Sequence, residues 1–125
     1  MPSNTSVITG NAAVDGAPRR GWLVGHFAGE PGAPNRSEAV EVKWGVHPAG
    51  EHRSTSAVNA TATTLSILVH GRFRLRFPDR VVVLEREGDY ALWPPGVAHD
   101  WLAEEAAVVV TVRWPSVPGD SRPAG

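Results

Sequence analysis

Gly88-Asp89-Tyr90-Ala91-Leu92-Trp93-Pro94-Pro95-Gly96-Val97-Ala98-His99 is the stretch on which the reading of this 125-residue chain turns. Gly88 makes a tight turn into a strand at Tyr90 to Trp93. Pro94-Pro95-Gly96 then forces a reversal, and His99 falls on the return strand. Neighbouring side chains on a strand point to opposite faces, so Val97, His99 and Trp101 share one face and Asp100 takes the other. The unit is strand, sharp turn, strand, with one imidazole projecting from the return limb.

The same period of two runs outward in both directions. Just upstream, Phe73, Leu75 and Phe77 alternate with Arg72, Arg74 and Arg76 until Pro78 and Asp79 interrupt the pattern. Pro78 cannot take a positive φ, which excludes a type I′ turn and leaves a type I turn for the hairpin Arg72 to Glu87. Pairing Phe77 with Arg80 sets Phe73 opposite Leu84, Leu75 opposite Val82 and Arg72 opposite Glu85. Apolar pairs then share one face and an ion pair the other. The arginine row reads as a solvated face, not an anion site.

Further upstream, Trp22 to Phe27 is a short strand candidate. In Glu38 to Val46, Val40, Val42, Trp44 and Val46 alternate with Glu41, Lys43 and Gly45, a half-buried strand with one clean apolar face. Thr61 to Val69 sets Thr63, Leu65, Ile67 and Val69 against Thr64, Ser66 and Leu68, which suits a barrel wall lining a cavity. Downstream, Ala106 to Trp114 has no polar face over Val108, Val109, Val110 and Val112, and reads as a central strand covered on both sides. About nine short strands with Gly/Pro turns and no helical crossover predict an all-β antiparallel sandwich or barrel.

Composition narrows the function classes. Twelve Lys and Arg against 13 Asp and Glu leave a net charge of −1, without the concentrated basic excess that nucleic acid or an anionic membrane requires. Neither partner is expected. With no cysteine, disulfides, thiolate nucleophiles and zinc fingers are excluded, and any metal must be held by His, Asp and Glu. The small, polar, Gly/Pro-rich stretches 1–18 and 117–125 are expected to be flexible tails on one domain spanning 19–116. The start shows no signal-peptide core, and no apolar run reaches the roughly 18 residues of a membrane span. A cytoplasmic protein is the expectation.

The 88–99 stretch resembles the second motif of the cupin family, G(X)5PXG(X)2H(X)3N, at every position through the histidine. Gly88, Pro94, Gly96 and His99 fill the pattern, and Ala103 replaces the closing asparagine. The resemblance implies an antiparallel double-stranded β-helix, the cupin jelly-roll barrel. The first motif, G(X)5HXH(X)3-4E(X)6G, is degenerate. With Gly71 as its last glycine, Thr64 stands at the glutamate, and the two histidines become Ala57 and Asn59 or, with the shorter spacer, Val58 and Ala60. Three of the four usual metal ligands are gone and His99 alone remains. No cofactor is expected at that site. A divalent metal remains an alternative only at a shifted site built from His47, His52 and His99, with Glu51 nearby.

Gly21 to Ser116 also resembles a group of small single-domain bacterial cupins. The shared segments are Val40 to Gly45, Ala62 to Leu68, Gly71 to Leu75, Gly88 to Trp93, Pro95 to His99 and Thr111 to Pro115. Members of the group have at times carried the label signal peptidase I. The sequence offers neither a membrane anchor nor the serine with lysine of that chemistry. The group implies a fold and no settled activity.

Without a metal, His99 is the candidate acid or base, since imidazole titrates near neutrality. Asn59, Thr64, Ser66, Trp101 and Arg113 are the candidate ligand-binding residues. Asp100 faces away from His99. Glu41 and Lys43, the latter the chain's one lysine, are possible partners whose expected position is a solvent-facing edge. An arginine within an apolar strand is costly unless paired, so Arg113 is expected to reach solvent beside Trp114, the alternative being an anionic ligand or a carboxylate partner. His26 and His70 read as structural. Three functions are compatible with this: a small-molecule enzyme of isomerase, cyclase or dehydratase type using His99; a non-catalytic ligand-binding or sensing barrel; and a metal-dependent enzyme at the shifted site. A homodimer joined through exposed sheet edges is expected, with Trp22, Trp44 and Trp114 in the core or the interface.

Overall fold

Strands dominate residues 7–53 and 55–124, the part of the chain that the computed structural model describes. A short helix α1 (Ala12–Asp15), capped by the Asn11 side chain on the N–H groups of Ala13 and Val14, leads into a 3-10 turn, Ala17–Arg19. Then come β1 (Trp22–Val24), β2 (Glu41–His47), β3 (Ala57–Asn59), β4 (Thr63–His70) and β5 (Phe73–Phe77). They are followed by β6 (Arg80–Leu84), β7 (Tyr90–Trp93), β8 (Asp100–Ala103), β9 (Ala107–Trp114) and β10 (Ser121–Pro123).

Every strand pair is antiparallel. One sheet has the order β1-β2-β9-β4-β7, a second β6-β5-β8, and β3 pairs with β10 in a ribbon. Bridges His52↔Leu102 and Ala57↔His99 tie the ribbon and the loop before it to β8, so the second wall of the barrel is continuous. The β5–β6 hairpin keeps the register read from its pattern, Phe73↔Leu84, Leu75↔Val82 and Phe77↔Arg80. Its arginines are spent outside the barrel. Arg72 bonds Glu85 at 2.6 Å and Glu104 at 2.9 Å, Arg74 bonds Glu104, and Arg76 grips both oxygens of Asp100 at 2.9 Å.

The apolar core is Leu68, Phe73, Leu75, Leu84, Trp93, Ala103, Ala107 and Val109, with Phe77, Val82, Ala91, Val97 and Trp101 against it. Gly71 turns the chain from β4 into β5 at φ +97°, and a Cβ there would lie 2.1 Å from the Ala106 carbonyl oxygen. Positive φ and close approach both require glycine at that corner.

Four expectations need correction. The stretch 117–125 is not a free tail as far as it is described: β10 pairs with β3, and Asp120, 5% exposed, accepts the N–H groups of Thr61 and Ala62 at 2.8 and 3.0 Å. Backbone pairing anchors a segment too polar to be held by burial. The N-terminal stretch likewise forms α1 and the start of the 3-10 turn within 7–18, while 1–6 lies outside the described residues. Strand β9 is central, but Val109 alone of its four valines is buried, and Val108, Val110 and Val112 look outward half-exposed.

The fourth concerns β2. Its register with β9 and β4 aligns Glu41, Arg113, Thr64 and Trp93 in one row, and Lys43, Thr111, Ser66 and Ala91 in the next. These rows face the barrel interior. The apolar residues of β2 occupy the opposite rows, Val42-Val112-Leu65-Leu92 and Trp44-Val110-Ile67-Tyr90, on the outside. Glu41 is therefore buried at 6% exposure while Val46, Leu92 and Tyr90 are 59, 55 and 65% exposed.

Candidate functional site

The inward rows and the facing wall enclose a small cavity of about 40 Å³. The five-stranded sheet contributes Lys43, His47, Thr64, Ser66, Trp93, Val109, Thr111 and Arg113, the second wall Phe73, Leu75, His99 and Trp101, and the loop before β3 adds Arg53. A wider vestibule of about 630 Å³ lies next to it, between the turns at Ala13 and Ala17 and the second half of β2. The two spaces share Lys43, His47, Arg53 and Trp101 in their walls. The N-terminal turns and the 51–53 loop thus build the approach to the barrel. A volume of this order is typical for an organic ligand.

His99 is 3% exposed, and its ring packs against Trp93 with centroids 4.9 Å apart. Its Nδ1 lies 3.1 Å from the Val97 carbonyl oxygen, which only accepts, so the proton of the neutral ring resides on Nδ1. Burial lowers its pKa below the ordinary imidazole value and favours the neutral form. Nε2 keeps a lone pair in a ring that lines the cavity. Asp100 points to the other face, where Arg76 and Ser56 hold its carboxyl below the usual carboxylate range.

Thr64 is fully buried and Ser66 is 4% exposed; the Ser66 and Thr111 hydroxyls face each other at 3.3 Å across β4 and β9. Trp101 stacks on Phe73 at 5.4 Å between centroids. Arg113 does not escape to solvent. It lines the cavity with its guanidinium 5.0 Å from the centre of the Trp22 ring, and burial lowers its pKa. Asn59 is buried at 2% exposure yet lies outside the lining, because β3 belongs to the ribbon with β10.

His47 and His52 part company. His47 is 7% exposed, packs on Phe73 and Trp101, and donates from Nδ1 to Glu51 at 2.5 Å. Burial depresses its pKa against the pull of that carboxylate. His52 is exposed at the vestibule rim, with Nδ1 on the Gly50 carbonyl at 3.1 Å. His26 bonds Ser116 at 2.7 Å and His70 is exposed, both away from the cavity.

The cavity's cations were not legible as a set. Lys43, Arg53 and Arg113 come from β2, a loop and β9, and none forms a salt bridge among the described residues. Arg53 Nη1, Arg113 Nε, Thr64 Oγ1 and Trp93 Nε1 are buried without a partner there. Buried polar groups ordinarily find one. The donor set does not fit a divalent metal: three cations share the space with His99, and no three His, Asp or Glu side chains among the described residues converge as ligands.

No protein-family model and no curated protein matches the sequence. Solved structures do match. An uncharacterised conserved protein with a double-stranded β-helix domain from Klebsiella pneumoniae is 21% identical at TM-score 0.62, over 71% of this chain and 77% of that one. KdgF from Halomonas sp. is 16% identical at TM-score 0.57, over 65 and 74% of the two chains. A cupin superfamily protein from Desulfitobacterium hafniense is 18% identical at TM-score 0.57, over 63 and 70%. Likeness at these identities establishes a shared fold. No helix among the described residues is long and apolar enough to cross a membrane.

Proposed function

We propose that this chain, whose fold is that of the cupin double-stranded β-helix, admits a small organic molecule and that His99 removes or returns a proton on it. The reaction is of isomerase, cyclase or dehydratase type. The observation that carries this reading is the fixed tautomer of His99: Val97 holds the Nδ1 proton, burial favours the neutral ring, and Nε2 is left as a base beside a cavity. Thr64, Trp93 and the Ser66–Thr111 pair offer hydroxyl and indole groups to orient a polar substrate. With no carboxylate behind the ring, the imidazolium formed on proton uptake is weakly supported. The substrate proton must therefore be acidified by other groups in the site.

The test is deuterium exchange at the activated C–H of small carbonyl compounds, acids and amides alike, followed by proton NMR in D2O. Wild type should accelerate exchange for at least one of them, and His99→Gln should lose about 100-fold or more of that rate. Equal rates for the two proteins would overturn the assignment. The missing carboxylate favours a second reading, a barrel that binds without chemistry; saturable binding with no exchange is its signature.

We also propose a homodimer, joined through the outer face of the five-stranded sheet and not through its edges. The rows Val42-Val112-Leu65-Leu92 and Trp44-Val110-Ile67-Tyr90 carry no charge and include aromatic types enriched in interface cores, which supports a second copy seated on this face. Sedimentation at micromolar concentration should give twice 13.3 kDa, and a mass of 13.3 kDa would refute it.

A further inference from the structure

We propose that the molecule bound in the barrel is a small carboxylate, its carboxylate group seated in the inner cavity against Lys43, Arg53 and Arg113 and the rest of it in the vestibule. The inference rests on the reading of the barrel as a small-molecule site, and adds the chemical class.

Three observations converge on it. The first is charge. Three cationic side chains from three separate segments line one cavity, and the carboxylates near them are engaged elsewhere: Glu51 accepts from His47, and Glu41 faces the Ser116 hydroxyl at 3.5 Å. Glu41 is Arg113's neighbour in the register, yet the two form no ion pair, and burial raises the Glu41 pKa. Positive charge held in a poorly solvated space attracts an anion far more strongly than the same charge on a surface.

The second is unspent donors. Among the described residues, Arg53 Nη1 and Arg113 Nε are buried without protein partners, and planar guanidinium N–H groups are matched to carboxylate oxygens. Lys43 supports the same assignment. Its pKa is pushed down to about 8, first by burial and then by Arg113 and Arg53, so its positive charge is crowded by two others. An incoming carboxylate would relieve all three.

The third is size. The inner cavity, about 40 Å³, is small beside the vestibule and suits a compact anionic head group, not a whole ligand. The adjoining vestibule has apolar walls at Ala13, Ala17 and Trp101 for the remainder. Seated so, the carboxylate brings the rest of the molecule past His99, and the cations offset the negative charge that develops when a C–H next to a carbonyl group loses its proton.

The experiment titrates the whole chain with pyruvate, its neutral isostere pyruvamide, and inorganic phosphate at constant ionic strength, by calorimetry and thermal shift. Pyruvate should bind saturably and about ten-fold or more tighter than pyruvamide. Arg113→Gln and Lys43→Gln should each weaken pyruvate about ten-fold without changing pyruvamide. His70→Gln, at an exposed residue away from both spaces, should leave pyruvate affinity unchanged. Arg53→Gln supplies an independent variant, and far-UV circular dichroism confirms that each is folded. Pyruvamide binding as tightly as pyruvate, or cation variants that bind pyruvate like wild type, would overturn the proposal. Phosphate binding tighter than pyruvate would overturn the choice of carboxylate. Pyruvate binding with no exchange in any of the carbonyl compounds would sink the His99 reading and leave this one standing.

Discussion

The two faces of the five-stranded sheet differ in the opposite sense from those of an ordinary soluble sheet. Its inner rows carry Glu41, Arg113, Lys43, Thr111, Thr64 and Ser66, and its outer rows are valine, leucine, isoleucine, tryptophan and tyrosine. Farther along, the inner face turns apolar at Val109 and Leu68, which seal the cavity floor into the core. A sheet that faces water on one side usually turns its apolar face inward. On the readings proposed above, the interior is polar because it is a place for a ligand, and the exterior is apolar because it is a place for a second copy.

Val109 and Val110 put that contrast on adjacent residues. Val109 is 2% exposed and packs in the core, while Val110 looks out between Trp44 and Ile67. Val109→Asp buries an unpaired carboxylate and should cost about 4 kcal/mol or more, enough to unfold a small domain. Val110→Asp should leave a folded chain with native circular dichroism and a sedimentation mass of 13.3 kDa. Equal damage from both would mean that the outer face is buried within the protomer, and the comparison would fail.

This inversion also marks where the sequence stops being informative. Period two in Glu41 to His47 separates two faces without saying which is inside, and the ordinary expectation sent Lys43 to solvent. Hairpin register was readable because Phe73, Leu75 and Phe77 met their partners at a turn only two residues long. The 88–99 motif was readable because glycine and proline restrict the backbone locally; it placed His99 and, through parity, Trp101. Arg53 carried no local signal. It sits in an irregular loop, and its place in the cavity depends on its N–H bonding the Trp101 carbonyl at 3.1 Å, a contact across nearly fifty residues that no spacing announces. Strands β3 and β10 were missed for the same reason, since each is three residues long and is defined by its pairing with the other.

The second way to sharpen the comparison is acid. His47 and His99 are neutral groups on the inner face whose pKa values burial holds below the ordinary imidazole value. The unfolded chain therefore takes up protons first as pH falls through about 6.5, and stability is present above that value and lost below it. Denaturant midpoints should fall between about pH 6.5 and 5 in wild type and fall less in His99→Gln. An unchanged slope in His99→Gln would argue that its imidazole is solvated and the cavity wetter than its walls indicate.

Lys43 gives the smallest and most discriminating effect, because its sign opposes the usual cost of a mutation. Its pKa of about 8 in the folded chain lies below the ordinary lysine value of 10.5. The unfolded state therefore binds more protons across that interval. Stability from this group is full above about pH 10.5, declines as pH falls toward 8, and is flat below. Lys43→Met keeps the length and apolar stem of the side chain and removes the charge. At pH 7 the variant should be more stable than wild type by about 1 kcal/mol, since a buried charge without a counter-ion is replaced by an apolar group of similar volume. The gap should close between about pH 8 and 10.5, where folded wild-type Lys43 is neutral while the unfolded lysine still holds its proton. Saturating pyruvate should reverse the order at pH 7, because the carboxylate supplies to wild type the counter-charge that methionine cannot use. A variant less stable than wild type at pH 7 without ligand would mean that a partner inside the protein already compensates Lys43. The inner face would then be a satisfied polar wall and not an anion site.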